Sequence, residues 1–383
     1  MPWIETCSMT ERMRFVMTQE TGKYGMSELC ERFGISRKTG YKWLGRFSEE
    51  GPDGLRDRSR RPHGSPTRTD GEIEELLVTF RRAHPRWGPD KILAVLRRRH
   101  PELELPARST VAAILKRGGL VTGRRRCRRH RHPGPPVREV KAANELWTAD
   151  FKGQFKTRDG KWCYPLTVAD EHTRYLLACD GKRSTKGGGV RRTFERLFRE
   201  LGLPEGIRTD NGSPFVSPLA IHGLSSLSVW WIRLGIRPER IEPGKPQQNG
   251  RHERMHRTLK DETVVPPASS LKAQQDRFDA FREEFNTERP HQALGQKPPA
   301  DVWRGPSRPY PDRIPPPEYP GHCQLRKVAG NGSIRFKNRP VQLSRTLIGH
   351  RVGMEETDDG IWSIYFYDVL LGRLDERNSE VTS

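Results

Sequence analysis

Three acidic residues, Asp150, Asp210 and Glu253, have the types and positions that metal-dependent chemistry requires. Asp150 ends an apolar, strand-like run over 146–149, and Asp210 ends a second such run over 207–209. Mg²⁺ prefers oxygen ligands and is held by a few carboxylates together with a substrate phosphate. Two such ions, roughly 3.5–4 Å apart, activate the attacking oxygen and stabilise the leaving oxygen in a displacement at phosphorus. The pattern therefore predicts catalytic and metal-binding roles for all three carboxylates.

Glu253 lies in a helix-like segment that follows a Pro/Gly turn. At ~100° per residue, Asn249 and Lys260 share its helix face. Each acidic residue also has an ordinary interpretation, because a strand-end aspartate is a common turn former and a glutamate on a charged helix is commonly solvated. The three together favour the catalytic interpretation. Asp170 and Glu171, by contrast, lie between two strand-like runs and are interpreted as hairpin residues.

The chain around the carboxylates has the pattern of an α/β domain. Three strand-like runs, a helical stretch, a further strand and a second helix follow one another over 144–304. This order indicates an α/β core rather than another all-helical module. Trp230 and Trp231 within it are interpreted as core or interface residues rather than as a base-stacking platform.

Two helical units precede this core. In the first, residues 1–55, two helix-like segments, a glycine-containing turn and an N-cap at Ser36 give the order of a helix-turn-helix. Its last helix would present four residues to the major groove of DNA: Arg37, Lys38, Thr39 and Lys42. The second unit, residues 69–120, repeats the arrangement, with Ser109 as the expected cap of its last helix. A three-helix bundle without a DNA role is the alternative.

The charge indicates a polyanionic partner. The chain has 383 residues, with 69 Lys and Arg against 48 Asp and Glu, for a net charge of +21. Residues 1–143 hold 31 basic and 17 acidic residues, a net charge of +14. Two arginine-rich linkers, 56–68 and 121–143, are predicted to bind DNA phosphates or a narrow minor groove. Their arginines include Arg58, Arg60, Arg61, Arg124, Arg125, Arg126, Arg128 and Arg129. A solvated charged linker is the alternative.

Several classes of protein are excluded. No stretch approaches the ~18 consecutive apolar residues of a membrane span, and residues 1–10 lack the pattern of an export signal. The six cysteines form no CxxC pair, which indicates reduced thiols in a cytosol. Cys127, His130 and His132 have no second cluster nearby, so a metal site there is disfavoured.

The end of the chain has a β pattern. A proline-rich linker over 305–321 precedes residues 322–383, in which alternating runs are separated by Asn331-Gly332 and Asp359-Gly360. We expect a small β-barrel of the SH3-like type, or a sheet, in this region.

Three strings carry a resemblance to a known family. WTADFKG, IRTDNGSPF and PGKPQQNGRHERMHRTLKDE resemble the catalytic blocks of the integrase-type DDE transposases, insertion-sequence enzymes related to retroviral integrases. The order matches, with 59 residues between Asp150 and Asp210 and 42 between Asp210 and Glu253. The second gap is longer than is usual in that family, and the surplus falls in FVSPLAIHGLSSLSVWWIRLG. RPHQALGQKPPADVW is similar to the family's usual end of the catalytic core.

The resemblance implies an RNase H-like core that cuts the 3′ ends of a mobile element and joins them to target DNA. Asp150, Asp210 and Glu253 would hold two Mg²⁺ or Mn²⁺ ions per active site, and Asn249 and Lys260 would contact DNA. No ATP is needed, because one phosphodiester replaces another. The helical units would recognise terminal inverted repeats, a dimer or tetramer would act on paired ends, and the C-terminal domain would bind DNA or a neighbouring subunit.

The predicted protein is thus multidomain, with N-terminal all-α helix-turn-helix units, a central α/β RNase H-like core and a small C-terminal SH3-like β-barrel. Retroviral integrases carry a zinc-binding His/His/Cys/Cys module at the front, whereas this sequence has helix-turn-helix candidates there, so we predict no structural zinc. We expect a bacterial cytosolic, nucleoid-associated protein with no membrane partner. A DNA-binding regulator without catalysis and a structure-selective nuclease without joining activity are the rival hypotheses.

Overall fold

The structure is a computed structural model that describes residues 7–59, 68–121, 139–218, 220–242, 246–306, 308–377 and 380–382. It divides into two compact units, Met1–Asp70 and Gly71–Ser383. Within the described ranges, none of the helices combines the length and the apolar character of a membrane span.

The first unit is a bundle in helix-turn-helix order, formed by α1 (Ser8–Glu20), α2 (Met26–Arg32) and α3 (Arg37–Glu50). Ser36 caps α3, because its side chain accepts a hydrogen bond from the backbone N of Thr39 at 3.3 Å. Gly40 lies where α3 packs most closely on its neighbours. A Cβ there would lie 2.7 Å from Cys30 Sγ and 3.0 Å from Phe15 Cζ. The glycine, unfavourable inside a helix by itself, permits this close packing.

Three more helices open the second unit: α4 (Gly71–Ala83), α5 (Pro89–Arg99) and α6 (Arg108–Arg117). They share an apolar cluster that includes Trp87, Ile92 and Leu115. The prediction that Ser109 caps α6 is wrong. Ala107, which is extended at φ −61° and ψ 154°, occupies the N-cap position without a side-chain bond, so Ser109 already lies in the first turn.

A mixed sheet forms the centre of the second unit. Its strands are β1 (Trp147–Phe151), β2 (Phe155–Lys156), β3 (Trp162–Asp170), β4 (Leu176–Lys182), β5 (Gly206–Thr209) and β6 (Arg237–Arg240). In the order β4-β3-β1-β5-β6, the first three strands are antiparallel and the last three are parallel. The short β2 pairs with β3 beyond the end of β1. The α/β prediction for the core is confirmed, and the strand order is that of an RNase H-like sheet.

Helices pack against both faces of this sheet: α7 (Gly187–Leu201), α8 (Ser226–Arg233), α9 (Gly250–Leu259) and α10 (Leu271–Thr287). The short α11 (Pro299–Val302) lies beside α10. Successive side chains of β4 point to opposite faces of the sheet. Leu176 packs in the apolar cluster of α9 and α10, and Leu177 packs in the apolar cluster of α7 and α8. Trp230 and Trp231 are 2% and 1% exposed in the latter cluster, so they are core residues, as the sequence predicts. A π-helical turn, Lys260–Val264, continues α9.

The surplus segment before Glu253 joins the core to the C-terminal domain. It contains α8, and Leu224, Val229 and Ile232 from this stretch pack into the same apolar cluster as Leu347 and Val352. The longer gap therefore has a structural use, because it supplies the surface on which the C-terminal strands pack.

The C-terminal domain contains β7 (Gln324–Lys327), β8 (Ser333–Phe336), β9 (Arg339–Gln342), β10 (Arg351–Asp358), β11 (Ile361–Phe366), β12 (Val369–Asp375) and β13 (Glu380–Thr382). Five of them form a sheet in the order β13-β12-β11-β10-β7, and β8 and β9 form a separate hairpin. Across the residues described there, the sheet does not close, so the SH3-like barrel is not confirmed. Alternation predicts strands but not which edges will pair.

Candidate active site

Asp150 and Asp210 lie at the same edge of the central sheet. Strands β1 and β5 are parallel neighbours, and Ala149 pairs with Thr209 in their register. Asp150 follows Ala149 near the carboxyl end of β1, and Asp210 follows Thr209 directly after β5. Equal register on parallel strands therefore places the two aspartates side by side.

Glu253 reaches this edge from α9. Its side chain is exposed, while His252, Met255 and His256 on the same helix are buried. Glu171 anchors the start of the helix, since its carboxylate accepts a hydrogen bond from Arg251 Nη1 at 2.9 Å. The helix is thus fixed on its inner side and presents Glu253 on its outer side.

Asp210 and Glu253 act electrostatically on Asp150. Burial, together with the nearby charges of Asp210 and Glu253, raises the pKa of Asp150 to about 7. Burial also raises the pKa of Asp210, against a hydrogen bond donated by the backbone N of Gly212 at 3.1 Å. A cation at this point would relieve the repulsion between carboxylates that are partly removed from water.

The donor set fits a hard divalent cation, since it consists of carboxylate oxygens. The three side chains are not gathered as tightly as the ligands of one ion. Among the described residues, one group of three His, Cys or acidic side chains has all its donor atoms within 4.8 Å of one another. That group consists of His322, Cys323 and Glu355, and not of the three carboxylates. Looser spacing suits a site in which two ions share the carboxylates.

Asn249 and His256 are the polar neighbours of Asp150. Asn249 Nδ2 donates to Asp150 Oδ2 at 3.4 Å, and His256 Nδ1 lies 3.7 Å from the same oxygen. Asn249 is only 6% exposed, so its amide orients the carboxylate, and its contact with DNA remains a prediction. Lys260, also predicted to contact DNA, is exposed at the end of α9.

Two buried histidines were missed by the sequence analysis. Burial lowers the pKa of His252 to about 3 and that of His256 to about 2, so both imidazoles are neutral at physiological pH. Their spacing of four residues places them on one helix face, and this spacing is the feature of the sequence that could have indicated that they act together. Nothing in the sequence indicated that Thr148 and Thr167 would meet them.

Asp170 and Glu171 are structural, as the sequence predicts. Asp170 is 1% exposed and accepts hydrogen bonds from the backbone N of Asn144 and from the backbone N and hydroxyl of Thr173, all within 2.6–2.7 Å. These bonds close the turn between β3 and β4. Glu171 supports α9 through Arg251 and takes no place among the three carboxylates.

The predicted DNA-binding residues of the first unit line one side of α3. Arg37, Lys38 and Lys42 are exposed, while Thr39 is half-buried beside the Ser36 cap. The sequence analysis missed Tyr41, which is 60% exposed on the same side. An aromatic ring next to three cations suits contact with nucleotides.

The arginine-rich linkers are only partly described. Arg58 is exposed and forms an ion pair with Glu50. The other linker residues predicted to bind DNA lie outside the described residues: Arg60, Arg61, Arg124, Arg125, Arg126, Arg128 and Arg129. Their DNA contacts stay predictions.

His322, Cys323 and Glu355 form a cluster at the start of the C-terminal domain. His322 Nε2 lies 2.8 Å from Glu355 Oε1, and the imidazole is 61% exposed. An exposed hydrogen bond accounts for this contact without a metal ion. The expectation of no structural zinc remains a prediction.

Models of several protein families match the chain. The Integrase core domain matches residues 140–246 in one model and 234–299 in another. A Helix-turn-helix domain matches 13–63, and a Homeodomain-like domain matches 39–115. The C-terminal domain of the IS481 family transposase matches 323–382. The matches follow the order of the helical units, the sheet with the three carboxylates and the C-terminal strands.

Two similar proteins come from insertion elements. The uncharacterized 39.2 kDa protein of insertion element IS476 from Xanthomonas euvesicatoria is 27% identical over 237 residues, which are 61% of this chain and 65% of that protein. The uncharacterized 31.7 kDa protein of IS407 from Burkholderia multivorans is 29% identical over 167 residues, 42% of this chain and 55% of that protein. The chain thus spans less than two thirds of either relative's length.

A solved structure of a simian T-cell lymphotropic virus intasome, in complex with PP2A regulatory subunit B56 gamma, is also similar. The sequence identity is 16%, the TM-score is 0.37, and the match covers 77% of this chain and 97% of that chain. With a TM-score below 0.5, this likeness carries no conclusion about the chain.

Proposed function

The chain belongs to the integrase-type insertion-sequence transposases, and from this premise we propose that it moves a DNA element. In this proposal it binds the terminal inverted repeats of an insertion sequence, cleaves the 3′ ends and transfers those strands into target DNA. The proposed reaction is phosphodiester hydrolysis followed by transesterification.

The observation that carries the proposal is the meeting of three carboxylates at one sheet edge. The parallel register of β1 and β5 puts Asp150 beside Asp210, and the charge of Glu253 acts on Asp150 from α9. Acidic residues crowded and partly buried in this way are costly unless they serve a cation. A merely solvated group of surface carboxylates would not raise the pKa of Asp150 to about 7.

Asp150, Asp210 and Glu253 would hold two Mg²⁺ or Mn²⁺ ions. When bound, these ions supply activation of the attacking oxygen and stabilisation of the leaving oxygen. Asn249 orients the Asp150 carboxylate through its amide, and Gly212 holds the Asp210 carboxylate through its backbone N. Lys260, exposed at the end of α9, would bind a DNA phosphate beside the site.

The basic helical units would hold the element ends. Arg37, Lys38 and Lys42 are exposed along α3 in a helix-turn-helix arrangement, which suits insertion into a major groove. Cutting and joining two ends together requires two active sites, so a dimer or tetramer on paired ends is part of the proposal. The C-terminal domain would bind DNA or a neighbouring subunit, and the protein would act in the bacterial cytosol at the nucleoid.

A strand-transfer assay tests the proposal. The full chain is incubated with Mg²⁺, pre-cleaved element ends and a supercoiled plasmid, and joined products are measured on a gel. We expect joining by the wild type and none by Asp210→Asn. Asp276→Asn is the matched control, because it makes the same chemical change at an exposed position of α10 and should keep full activity.

The rival hypotheses predict other products. Cleavage without joining would favour a structure-selective nuclease. Sequence-specific binding with neither reaction would favour a regulator. Joining that persists in Asp210→Asn would contradict the assignment of the carboxylates.

A further inference from the structure

A buried hydrogen-bond network lies next to the carboxylate cluster. Thr167 Oγ1 lies 2.6 Å from His252 Nε2 and 2.6 Å from His256 Nε2. The other nitrogen of His252, Nδ1, lies 2.9 Å from Thr148 Oγ1. The other nitrogen of His256, Nδ1, lies 3.7 Å from Asp150 Oδ2. The side chains thus form one path from Thr148 to Asp150.

This path joins three elements of the core. Thr148 belongs to β1, Thr167 belongs to β3 and is the register partner of Asp150, and both histidines belong to α9. Its four members, Thr148, Thr167, His252 and His256, are all 6% exposed or less. Since Glu253 directly follows His252, the bonds fix the helix backbone at the residue next to the glutamate.

We propose that Thr167, His252 and His256 are positioning residues that set where Glu253 stands relative to Asp150. The proposal rests on the proposed function in one respect, namely that these two carboxylates bind metal. The single Thr167 hydroxyl is the centre of the arrangement, because it contacts both imidazoles. Removing it would free α9 to shift on the strands, and metal affinity depends on such supporting contacts.

The Thr167 hydroxyl also limits where the protons lie. It has one proton to donate and three acceptors in reach: two Nε2 atoms at 2.6 Å and the backbone O of Asp150 at 3.2 Å. We assign the proton to one of the nearer Nε2 atoms. A neutral imidazole carries one N–H. If His252 Nε2–H donates to Thr167, the hydroxyl donates to His256 Nε2, and the proton of His256 lies on Nδ1.

This order directs every donor toward Asp150. Thr148 Oγ1 lies 3.2 Å from the backbone O of Ala169 and 2.9 Å from His252 Nδ1, and in this order its proton goes to the nearer nitrogen. His252 then donates to Thr167, Thr167 donates to His256, and His256 Nδ1–H faces the Asp150 carboxylate. The opposite order would turn the lone pair of His256 Nδ1 toward a negatively charged oxygen. With a cation on Asp150, the two histidines therefore hold their protons on different nitrogens, Nε2 in His252 and Nδ1 in His256.

Binding of Mn²⁺ to the full chain tests the positioning role, measured by calorimetry or by the EPR signal of free Mn²⁺. Thr167→Val keeps the shape of the side chain and removes the hydroxyl, and we expect affinity to fall by about 10- to 100-fold. Thr167→Ser restores the hydroxyl and should bind within about threefold of wild type. Thr193→Val is the control, because Thr193 is 2% exposed on α7, away from the network, and should bind as wild type does.

Two outcomes would overturn the proposal. If Thr167→Val binds Mn²⁺ with wild-type affinity, the hydroxyl does not affect metal binding. If Thr167→Val and Thr167→Ser lose Mn²⁺ affinity equally, packing at position 167 and not the hydroxyl determines the affinity. Circular dichroism and thermal melts identify a variant that has unfolded.

The tautomers are tested in the wild-type protein, so this measurement does not depend on a variant folding. Imidazole ¹⁵N shifts in the presence of Mg²⁺ should show a protonated Nε2 in His252 and a protonated Nδ1 in His256. The spectra of His252→Gln and His256→Gln assign the signals. A protonated Nε2 in His256 would overturn the proposed direction.

Failure of the proposed function has a different signature. If Thr167→Val weakens Mn²⁺ binding but the wild-type chain never joins DNA, the positioning role stands and the transposition proposal fails. If the wild type and Thr167→Val join DNA equally well at limiting Mn²⁺, the transposition proposal stands and the positioning role fails.

Discussion

Glu262 and Arg289 form a bidentate ion pair, with Arg289 Nη1 and Nη2 donating to the two carboxylate oxygens at 3.0 and 2.8 Å. Arg289 is 5% exposed. Glu262 lies in the π-helical turn that continues the helix of Glu253, and Arg289 follows the end of α10. The pair therefore ties the π-helical end of α9 to the end of α10.

The same pair borders the helical bundle formed by α4, α5 and α6. The Arg289 guanidinium lies 5.9 Å from the ring centroid of Trp87, and Arg86 forms an ion pair with Asp261, the neighbour of Glu262. The apolar clusters of the helical unit and the core are separate, so charged groups contribute much of this contact. The position of the helical unit against the core thus depends on Glu262 and Arg289.

Arg289→Ala should destabilise the protein by about 1.5–3 kcal/mol, because it removes two charge-assisted hydrogen bonds to the Glu262 carboxylate, which keeps the positive charges of Arg86 and Lys91 nearby. Arg289→Lys should cost less, since it keeps the charge and loses the bidentate geometry. The measurement is urea unfolding followed by fluorescence and circular dichroism.

Arg199→Ala is the control for this prediction. It breaks an exposed ion pair with Glu195 on α7, at 2.7 Å, and should cost less than about 1 kcal/mol. If the two alanine variants unfold at the same urea concentration, the pair of Glu262 and Arg289 does not have the stabilising role assigned to it.

Gly40 and Gly45 in α3 offer a matched pair of substitutions. Gly40→Ala should destabilise the first helical unit, because its Cβ would lie 2.7 Å from Cys30 Sγ. Gly45→Ala meets nothing within 4 Å and should stabilise the helix by about 0.5–1 kcal/mol. Thermal melts of the two variants should move in opposite directions, and a gain of stability in both would refute the close contact.

Much of the fold followed from local signals. Ser36 and the turn before it predicted the helix-turn-helix, because a cap and a tight turn are encoded within a few residues. Asp150 and Asp210 could be grouped because both end strand-like runs, whereas the parallel pairing of β1 and β5 that sets them side by side is seen only in the structure. The position of Glu253 followed from helix periodicity and from the resemblance.

The remaining features depend on distant contacts. His252 and His256 could be placed on one face of a helix, but their meeting with Thr148 and Thr167 depends on how α9 packs across the sheet. The C-terminal strands were predicted, whereas their open sheet depends on which edges pair. The N-cap prediction for Ser109 was wrong because an earlier extended residue, Ala107, occupies the N-cap position of α6.

Lys38→Ala should weaken DNA binding by the full chain and lower its salt dependence. Each lost phosphate contact reduces the slope of log affinity against log salt by roughly 0.9. Lys23→Ala makes the same charge change at an exposed position before α2 and should have little effect. Equal losses in both variants would mean that net charge, rather than the face of α3, determines binding.

Replacing Arg124, Arg125 and Arg126 with Gln should lower the same slope by roughly 0.9 for each phosphate contact that the linker makes. The measurement is a series of DNA-binding titrations across salt concentrations. An unchanged slope would contradict a DNA-binding role for these arginines.

Asp150→Asn should stabilise the metal-free protein above neutral pH while abolishing catalysis. The pKa of Asp150 is raised to about 7, from about 3.9 in an unfolded chain. Because the folded state holds this proton more tightly, the stability that the group confers is present at low pH and is lost as pH rises through about 7. At about 1.36 kcal/mol per pH unit, the loss reaches at most roughly 4 kcal/mol.

Thermal melts in EDTA between about pH 5 and about pH 8 measure this effect. The advantage of Asp150→Asn over the wild type should grow with pH and level off above about 7, whereas Asp276→Asn should show no such trend. Mg²⁺ should stabilise the wild type above neutral pH and have a smaller effect on Asp150→Asn, because the cation offsets the repulsion that the variant has already removed. A constant difference between wild type and Asp150→Asn across this pH range would argue against a proton held among the three carboxylates.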